Sequence, residues 1–175
     1  MNYVLDKVLI DGESIKKRVR ELGEEITRDY SGKQPITLCI LRGAIPFFAD
    51  LIREIDLPVT VDTITVSSYG SGTTSGSLKV ISDMRTDVKG RDVIVVDDII
   101  DSGKTSLALN NMLVERGASS VTTCALLDKP SRRVVDVKGD YVGFAIPDEF
   151  VVGYGLDWDE KFRNLPDVYT LKPCE

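Results

Sequence analysis

Residues 93–105 constrain the fold more than any other stretch of the chain. Four β-branched apolar residues, 93–96, predict a buried strand, and two adjacent carboxylates, Asp97 and Asp98, follow at its carboxyl end. A short loop of small and polar residues leads into a predicted helix, which continues through Leu113 and ends near Gly117, where glycine suits the carboxyl-terminal cap. A buried strand, a short loop and a helix in direct succession are typical of an α/β fold.

The loop after this strand is suited to hold one phosphate group. Backbone N–H groups at the amino terminus of a helix lack intrahelical partners and attract anions. The sequence from Gly103 to Thr105 invites comparison with the loop of nucleoside-triphosphate hydrolases, but Asp98 occupies the position where that loop has its first glycine. ATP hydrolysis is therefore a disfavoured alternative. Acids beside an anion site favour a phosphorylated sugar bound with a divalent cation.

Strands and helices alternate along the chain, which predicts one mainly parallel sheet flanked by helices. Asp11 is expected to cap the first helix, and a second helix follows residue 43. The predicted strands are residues 36–41, 59–66, 78–81, 93–96, 121–127 and 141–146. In such sheets ligands bind at the carboxyl ends of the strands. Three polar pairs lie at predicted strand ends, and we expect them to converge: Arg42-Gly43, Asp97-Asp98 and Asp128-Lys129.

Residues 67–77 form a stretch of small and polar residues with a single aromatic, Tyr69. Such a stretch is not expected to pack, so it should be a mobile loop. It could be a plain hairpin tip. Alternatively, it could be a lid that closes over substrate and excludes water.

Composition limits the chemistry that is available. A chain of 175 residues, 42% of them hydrophobic, is expected to form one domain, residues 1–175. The net charge of −6 and the lack of a basic run speak against a nucleic-acid partner. The chain contains no histidine, which excludes histidine bases, histidine metal ligands and Ser/His or Cys/His relays.

The three cysteines do not indicate a metal site or a disulfide framework. Cys39 and Cys124 lie in apolar runs and are expected to pack as small hydrophobic residues, whereas Cys174 lies near the end of the chain. No apolar run reaches the length of a membrane span, and no signal peptide is recognised. We expect a cytoplasmic protein with no membrane partner.

The motif that begins at Asp97 resembles the phosphoribosyl-pyrophosphate-binding motif of the type I phosphoribosyltransferases. Further segments resemble the hypoxanthine-guanine phosphoribosyltransferases, occur in the order found in that family and extend the likeness over nearly the whole chain. These segments are Leu41-Arg42-Gly43, Ser68-Tyr69, Leu126-Leu127-Asp128-Lys129-Pro130, residues 146–157 and Phe162-Arg163-Asn164-Leu165-Pro166.

The resemblance implies a role for each matching residue. Asp97 and Asp98 would hold the ribose hydroxyls directly or through Mg²⁺, with Asp157 as a further metal ligand. The catalytic residue would be Asp101, which takes the proton from purine N7. The 5-phosphate would lie among Asp101, Ser102, Gly103, Lys104, Thr105 and Ser106. Lys129 would donate to the purine 6-oxygen, Phe150 would stack on the purine, and Val151 with the Asp157 region would read its 2-position. Arg42, Gly43 and Arg163 would bind pyrophosphate, and Ser68 and Tyr69 would contact substrate from the lid loop.

The activity implied by the resemblance is purine salvage. The chain would transfer the 5-phosphoribosyl group of phosphoribosyl pyrophosphate to N9 of a 6-oxopurine, hypoxanthine or guanine, and form a purine nucleotide. The family also implies a homodimer or homotetramer, and a small hood made of residues 128–175 and the N-terminal segment. Two alternatives stay open: an enzyme that prefers xanthine, and a non-catalytic regulator that retains the fold. With 22 basic and 28 acidic residues, the chain shows no sign of the regulator's nucleic-acid face.

Overall fold

A computed structural model describes residues 3–68 and 78–174 of the chain. Its strands and helices, in chain order, are β1 (Tyr3–Ile10), α1 (Gly12–Asp29), β2 (Ile36–Leu41), α2 (Ile45–Glu54), β3 (Thr60–Ser68), β4 (Leu78–Ser82), β5 (Asp92–Ile100), α3 (Lys104–Glu115), β6 (Ser120–Asp128), β7 (Tyr141–Ala145), β8 (Val151–Val152) and β9 (Val168–Pro173). A single 3₁₀ turn, Pro130–Arg132, follows β6.

The larger of the two sheets has six strands in the order β4-β3-β2-β5-β6-β7. All neighbouring strands in it run parallel except β3 and β4, so the predicted mainly parallel sheet is confirmed. Since β2, β5 and β6 are parallel neighbours, their carboxyl ends at Leu41, Ile100 and Asp128 lie at the same edge of the sheet. The polar pairs predicted to converge therefore belong to one edge.

Helices cover both faces of this sheet, and the side-chain alternation of β5 explains why. Ile94 and Val96 are buried in the core that includes α1 and α2, whereas Val93 and Val95 are buried in the core that includes Leu109 of α3. Because successive strand residues point to opposite faces, a run of four apolar residues is what a strand covered on both sides requires.

The helix boundaries follow local signals in the sequence. The side chain of Asp11 accepts a hydrogen bond of 2.9 Å from the Ser14 N–H, so the predicted cap of α1 is confirmed. Helix α3 is preceded by Gly103, whose φ of 81° lies in the left-handed region that glycine adopts without cost. Gly103 is the last residue of the loop between β5, which ends at Ile100, and α3, which begins at Lys104, so this loop is short.

A second, antiparallel sheet has the strand order β1-β9-β8. Strand β1 pairs with β9 along its length, from Tyr3 opposite Pro173 to Ile10 opposite Val168. The two ends of the chain thus form one small unit together with residues 151–152. A hood was expected from these regions of the sequence, but these three strands were not predicted.

Strands β3 and β5 continue at least two residues beyond their predicted carboxyl ends. Strand β5 continues beyond Val96 to Ile100, because its pairing with β6 runs on to Ile100 opposite Asp128. Strand β3 includes residues 67 and 68, which pair with Lys79 and Leu78 of β4 and so do not belong to the predicted loop. The rest of that loop, with Tyr69, lies outside the described residues. No helix in the described part of the chain is long and apolar enough to cross a membrane.

Candidate active site

A cavity of about 210 Å³ lies at the carboxyl edge of the large sheet. Seven of its lining residues were predicted as site residues: Asp97, Asp98, Asp101, Ser102, Gly103, Thr105 and Ser106. The three apolar lining residues, Ile40, Val66 and Ile99, were not predicted as site residues. The cavity therefore joins the adjacent acids to the loop that precedes α3.

The acidic pair is accessible from the cavity because β5 loses its neighbour on one side. Strand β2 pairs with β5 only as far as Val96, opposite Cys39, whereas β6 continues to pair with it. The Asp98 carboxylate lies against Gly43, so closely that a Cβ at position 43 would overlap it. The Arg42-Gly43 loop and the acidic pair thus touch each other, as the sequence predicted for one sheet edge.

The two acids perturb each other electrostatically. Burial, together with the neighbouring Asp98 carboxylate, raises the pKa of Asp97 well above its ordinary value. Burial likewise raises the pKa of Asp98, although Arg163 acts in the opposite direction. Two carboxylates held side by side with little access to solvent are unfavourable unless hydroxyl donors or a cation compensate them, which makes the pair a candidate ligand-binding feature.

The phosphate loop, which we define as residues 101–106, is held from outside by the segment that follows Lys129. Arg133 donates to the carbonyl oxygens of Ile100 at 3.1 Å and Asp101 at 2.5 Å, and it forms a half-buried ion pair with Asp128. The Val134 N–H donates to the Ser102 carbonyl at 3.1 Å. These contacts fix the loop backbone. The first N–H of α3, that of Lys104, makes only a long contact of 3.4 Å with the Ser102 hydroxyl, and N–H groups at the start of a helix attract anions.

The side chain of Asp101 is paired with an arginine that the sequence analysis did not single out. Arg132 Nε donates to Asp101 Oδ1 at 3.1 Å, and the same guanidinium lies 3.6 Å from Asp148. Arg132 therefore connects the phosphate loop to the segment that precedes β8. Its position directly beside the predicted Lys129-Pro130 motif was the only signal for it in the sequence.

Lys129 and Phe150 differ sharply in exposure. Lys129 is 7% exposed, and its N–H donates to the Ile100 carbonyl at 3.0 Å, which places it beside the end of β5. Phe150 is 51% exposed. Its ring packs edge to face with the ring of Trp158, the single tryptophan of the chain, with 5.1 Å between the ring centroids and 89° between the ring planes. Trp158 in turn packs against Tyr3 of β1. Half of the Phe150 side chain is thus free to contact a ligand.

Val151 and Asp157 lie on either side of a close contact between the two sheets. Val151 is buried in β8 opposite Thr170 of β9. Between Val151 and Asp157 lies Gly155, with a φ of 101°, where a Cβ would overlap the Gly43 carbonyl oxygen. Only glycine allows this approach, which brings the small sheet onto the Arg42-Gly43 loop.

Arg42 and Arg163 are brought together by the segment that follows Asp157. Arg163 Nη1 donates to the Gly155 carbonyl at 2.8 Å, and its Nη2 lies 2.7 Å from Asp157. Arg42, which follows a cis peptide bond, lies 2.8 Å from Glu160, and Arg163 lies 3.6 Å from the same carboxylate. The sequence analysis predicted both arginines but not the glutamate between them.

The acids of the site fit a magnesium ion that substrate helps to hold. Mg²⁺ is usually bound through one or two carboxylates together with phosphate and water oxygens. Asp97 and Asp98 supply such a pair, whereas both oxygens of Asp157 are engaged, by Arg163 and by the Glu160 N–H at 2.9 Å. In residues 3–68 and 78–174 no group of three or more metal-ligating side chains is present. The donors suit a metal that arrives with its substrate more than a metal held by protein alone.

The chain is similar to known proteins over nearly its whole length. Residues 8–159 match the family model of the phosphoribosyl transferase domain. The hypoxanthine-guanine phosphoribosyltransferase of Streptococcus thermophilus is 50% identical over 169 residues, which cover 96% of this chain and 94% of the relative. The enzyme of the same name from Bacillus subtilis is 49% identical, with 99% and 97% covered. A crystal structure of a hypoxanthine-guanine phosphoribosyltransferase from Bacillus anthracis superposes with a TM-score of 0.93 at 42% identity, and covers 98% of this chain and 100% of that chain.

Proposed function

Because the chain belongs to the hypoxanthine-guanine phosphoribosyltransferase family, we propose that it transfers the 5-phosphoribosyl group of phosphoribosyl pyrophosphate to N9 of hypoxanthine or guanine. The products are IMP or GMP and pyrophosphate, and the role is purine salvage. The observation that carries this proposal is that the Asp97-Asp98 pair and the phosphate loop line one and the same cavity. A sugar that carries a phosphate at one end and free hydroxyls at the other matches that combination.

The 5-phosphate binds at the phosphate loop. The N–H groups at the start of α3 and the hydroxyls of Ser102, Thr105 and Ser106 donate to its oxygens, with Gly103 and Lys104 as the remaining contacts. Asp97 and Asp98 accept hydrogen bonds from the ribose hydroxyls, which are neutral donors that suit buried carboxylates. Two observations support this proposal. The acidic pair and the phosphate loop line the same cavity, and the raised pKa of Asp97 indicates that the two neighbouring carboxylates need a donor or a cation to offset their repulsion.

The purine is recognised at two edges and at one face of the ring. Lys129 donates to the 6-oxygen, and an ammonium has no acceptor for the 6-amino group of adenine. Phe150 stacks on the ring, which its exposed surface supports. Backbone groups of Val151 and the Asp157 region bind the 2-position edge. Ser68 and Tyr69 complete the set of residues that we propose to contact substrate.

The pyrophosphate of the donor substrate binds at Arg42, Gly43 and Arg163. Guanidinium groups match paired phosphate oxygens in geometry and stay charged at all working pH values. The proposal is supported by the position of both arginines beside the Glu160 carboxylate. Two guanidinium groups that contact the same carboxylate are close enough to contact the same pyrophosphate.

Asp101 acts as the general base. Purine N9 forms a bond to ribose C1 as the bond from C1 to the pyrophosphate oxygen breaks, and the N7 proton passes to the Asp101 carboxylate. A carboxylate is a suitable base in a chain that contains no histidine. The transition state resembles an oxocarbenium ion, which the neighbouring carboxylates stabilise. Arg132 contacts Oδ1 of Asp101, which leaves Oδ2 of the same carboxylate to accept the purine proton.

Mg²⁺ is the proposed cofactor, with Asp97, Asp98 and Asp157 as its candidate protein ligands. When bound, the ion neutralises charge on the pyrophosphate leaving group. Arg163 competes with the ion for Asp157, because it already forms an ion pair with that carboxylate. We further propose a cytoplasmic location, a homodimer or homotetramer, and a base-binding role for the small sheet as part of a single domain. Analytical ultracentrifugation and cell fractionation test the assembly and the location.

The direct test is nucleotide formation by the full chain with phosphoribosyl pyrophosphate, Mg²⁺ and one purine at a time. Hypoxanthine and guanine should react, while adenine should be rejected by at least about 100-fold in kcat/KM, since Lys129 cannot accept from its amino group. A chelator should abolish turnover. If xanthine reacts best, the base assignment is wrong; if no purine reacts, the chain is not an enzyme of this kind.

A further inference from the structure

Glu160 lies between the two arginines that we assign to pyrophosphate. Its Oε1 is 2.8 Å from Arg42 Nη2, and its Oε2 is 3.6 Å from Arg163 Nη2. One carboxylate therefore contacts both cations, with one oxygen directed at each. Two phosphate oxygens of a pyrophosphate would make contacts of the same kind.

The backbone at Glu160 is held in an unusual conformation. Trp158 and Lys161 exchange hydrogen bonds of 3.2 and 3.0 Å, and the two residues between them, Asp159 and Glu160, have φ values of 53° and 62°. Residues other than glycine rarely adopt the left-handed region, and such conformations concentrate at functional sites. The turn is further fixed by the Glu160 N–H, which donates to Asp157. The fold thus holds this carboxylate beside the arginines at a local cost.

Among the contacts of Arg163 with Gly155, Asp157 and Glu160, the contact with Glu160 is the longest and has the most exposed partner. Its Nε atom is buried and makes no hydrogen bond within the described residues, while Nη1 and Nη2 contact Gly155 and Asp157. Glu160 itself is 61% exposed, so its ion pairs are screened by water and can be broken readily. An incoming anion could replace Glu160 without disturbing the buried contacts of Arg163.

We propose that Glu160 is a specificity-determining residue that sets the affinity for the pyrophosphoryl group. Its carboxylate occupies Arg42 and Arg163 when no pyrophosphate is bound, and the ligand has to displace it. The inference rests on the proposed function, because it takes the two arginines as the pyrophosphate site. The physical consequence is competition. An anion that binds to the two arginines has to break their ion pairs with Glu160, and it is repelled by the negative charge of that carboxylate. Weakened binding of pyrophosphate favours its release as product.

The test compares Glu160→Gln with Asp159→Asn by calorimetric titration of inorganic pyrophosphate in the presence of Mg²⁺. Asp159→Asn is the matched control, because it removes one negative charge from the same turn. The Asp159 carboxylate pairs with Lys161 at 3.3 Å and not with an arginine of the site. Glu160→Gln should bind pyrophosphate about threefold to tenfold more tightly, in keeping with the modest strength of exposed ion pairs. Asp159→Asn should stay within about twofold of the parent, and the gain should shrink in high salt.

Steady-state kinetics provide a second readout. The KM for phosphoribosyl pyrophosphate of Glu160→Gln should fall, and inhibition by product pyrophosphate should become stronger. Glu160→Asn, whose side chain tolerates the left-handed region, serves if the glutamine variant does not fold. Unchanged or weaker pyrophosphate binding in a folded variant overturns the inference, because it would make Glu160 a support for the arginines. If the parent protein neither binds pyrophosphate nor forms nucleotide, the proposed function fails, and the inference falls with it.

Discussion

Replacement of Gly43 by alanine should damage catalysis far more than stability. A Cβ at position 43 would overlap Oδ2 of Asp98, and the end of that short side chain is the part that can move away. The protein should therefore fold with the Asp98 carboxylate displaced from its position in the cavity. A displacement of about 1 Å at a reacting site can cost about 100-fold in rate, or about 2.7 kcal/mol.

The assay is the dependence of initial rate on phosphoribosyl pyrophosphate at saturating hypoxanthine. Gly43→Ala should lower kcat/KM for this substrate by about 100-fold, with a loss of unfolding free energy of about 1–3 kcal/mol from overpacking. Gly90→Ala is the control, because a Cβ there meets no atom within 4 Å, although its φ of 70° makes the change mildly destabilising. A folded Gly43→Ala protein whose kcat/KM stays within threefold of the parent would refute this reasoning.

Three further predictions address the base, the purine and the thiols. Asp101→Asn should lower kcat by about 10²–10⁴-fold, the usual share of a general base, while nucleotide affinity measured by calorimetry changes little; a kcat near that of the parent would remove Asp101 from this role. Lys129→Met should reduce the preference for hypoxanthine over adenine by at least tenfold in kcat/KM, and a preserved ratio would place recognition of the 6-oxygen elsewhere. Burial and the charges of the acidic pair raise the pKa of Cys39 to about 12, and burial also raises that of Cys124, so both thiols stay protonated at pH 8. A thiol reagent should therefore modify only Cys174 in the native protein and all three cysteines after denaturation; fast reaction of a second thiol in the folded chain would contradict the burial.

Local signals were sufficient to predict the large sheet and the first helix. Asp11 predicted the cap of α1 because its contact with Ser14 lies within one helical turn. The apolar run at residues 93–96 predicted a strand buried on both faces because it has no polar alternation. The convergence of Arg42-Gly43 and Asp97-Asp98 followed from the parallel order of strands alone, and the contact of Gly43 with Asp98 agrees with it.

The small sheet and the internal ion pairs could not be predicted, for physical reasons. Strands β1 and β9 pair the two ends of the chain, and no local periodicity specifies a partner so distant in sequence. Strand β5 extends through two aspartates, which are unfavourable in strands, because β6 continues to pair with it. The turn at Glu160 contains no glycine or asparagine, the residues that usually indicate a left-handed backbone, so its conformation was not predicted from the sequence.

A crystal structure with bound GMP would test the central claim most directly. The account predicts the 5-phosphate among the backbone N–H groups of residues 102–106, the ribose hydroxyls at Asp97 and Asp98, and the guanine ring against Phe150 with its 6-oxygen near Lys129. A nucleotide whose phosphate lies away from this loop, with the acidic pair free of sugar contacts, would contradict it.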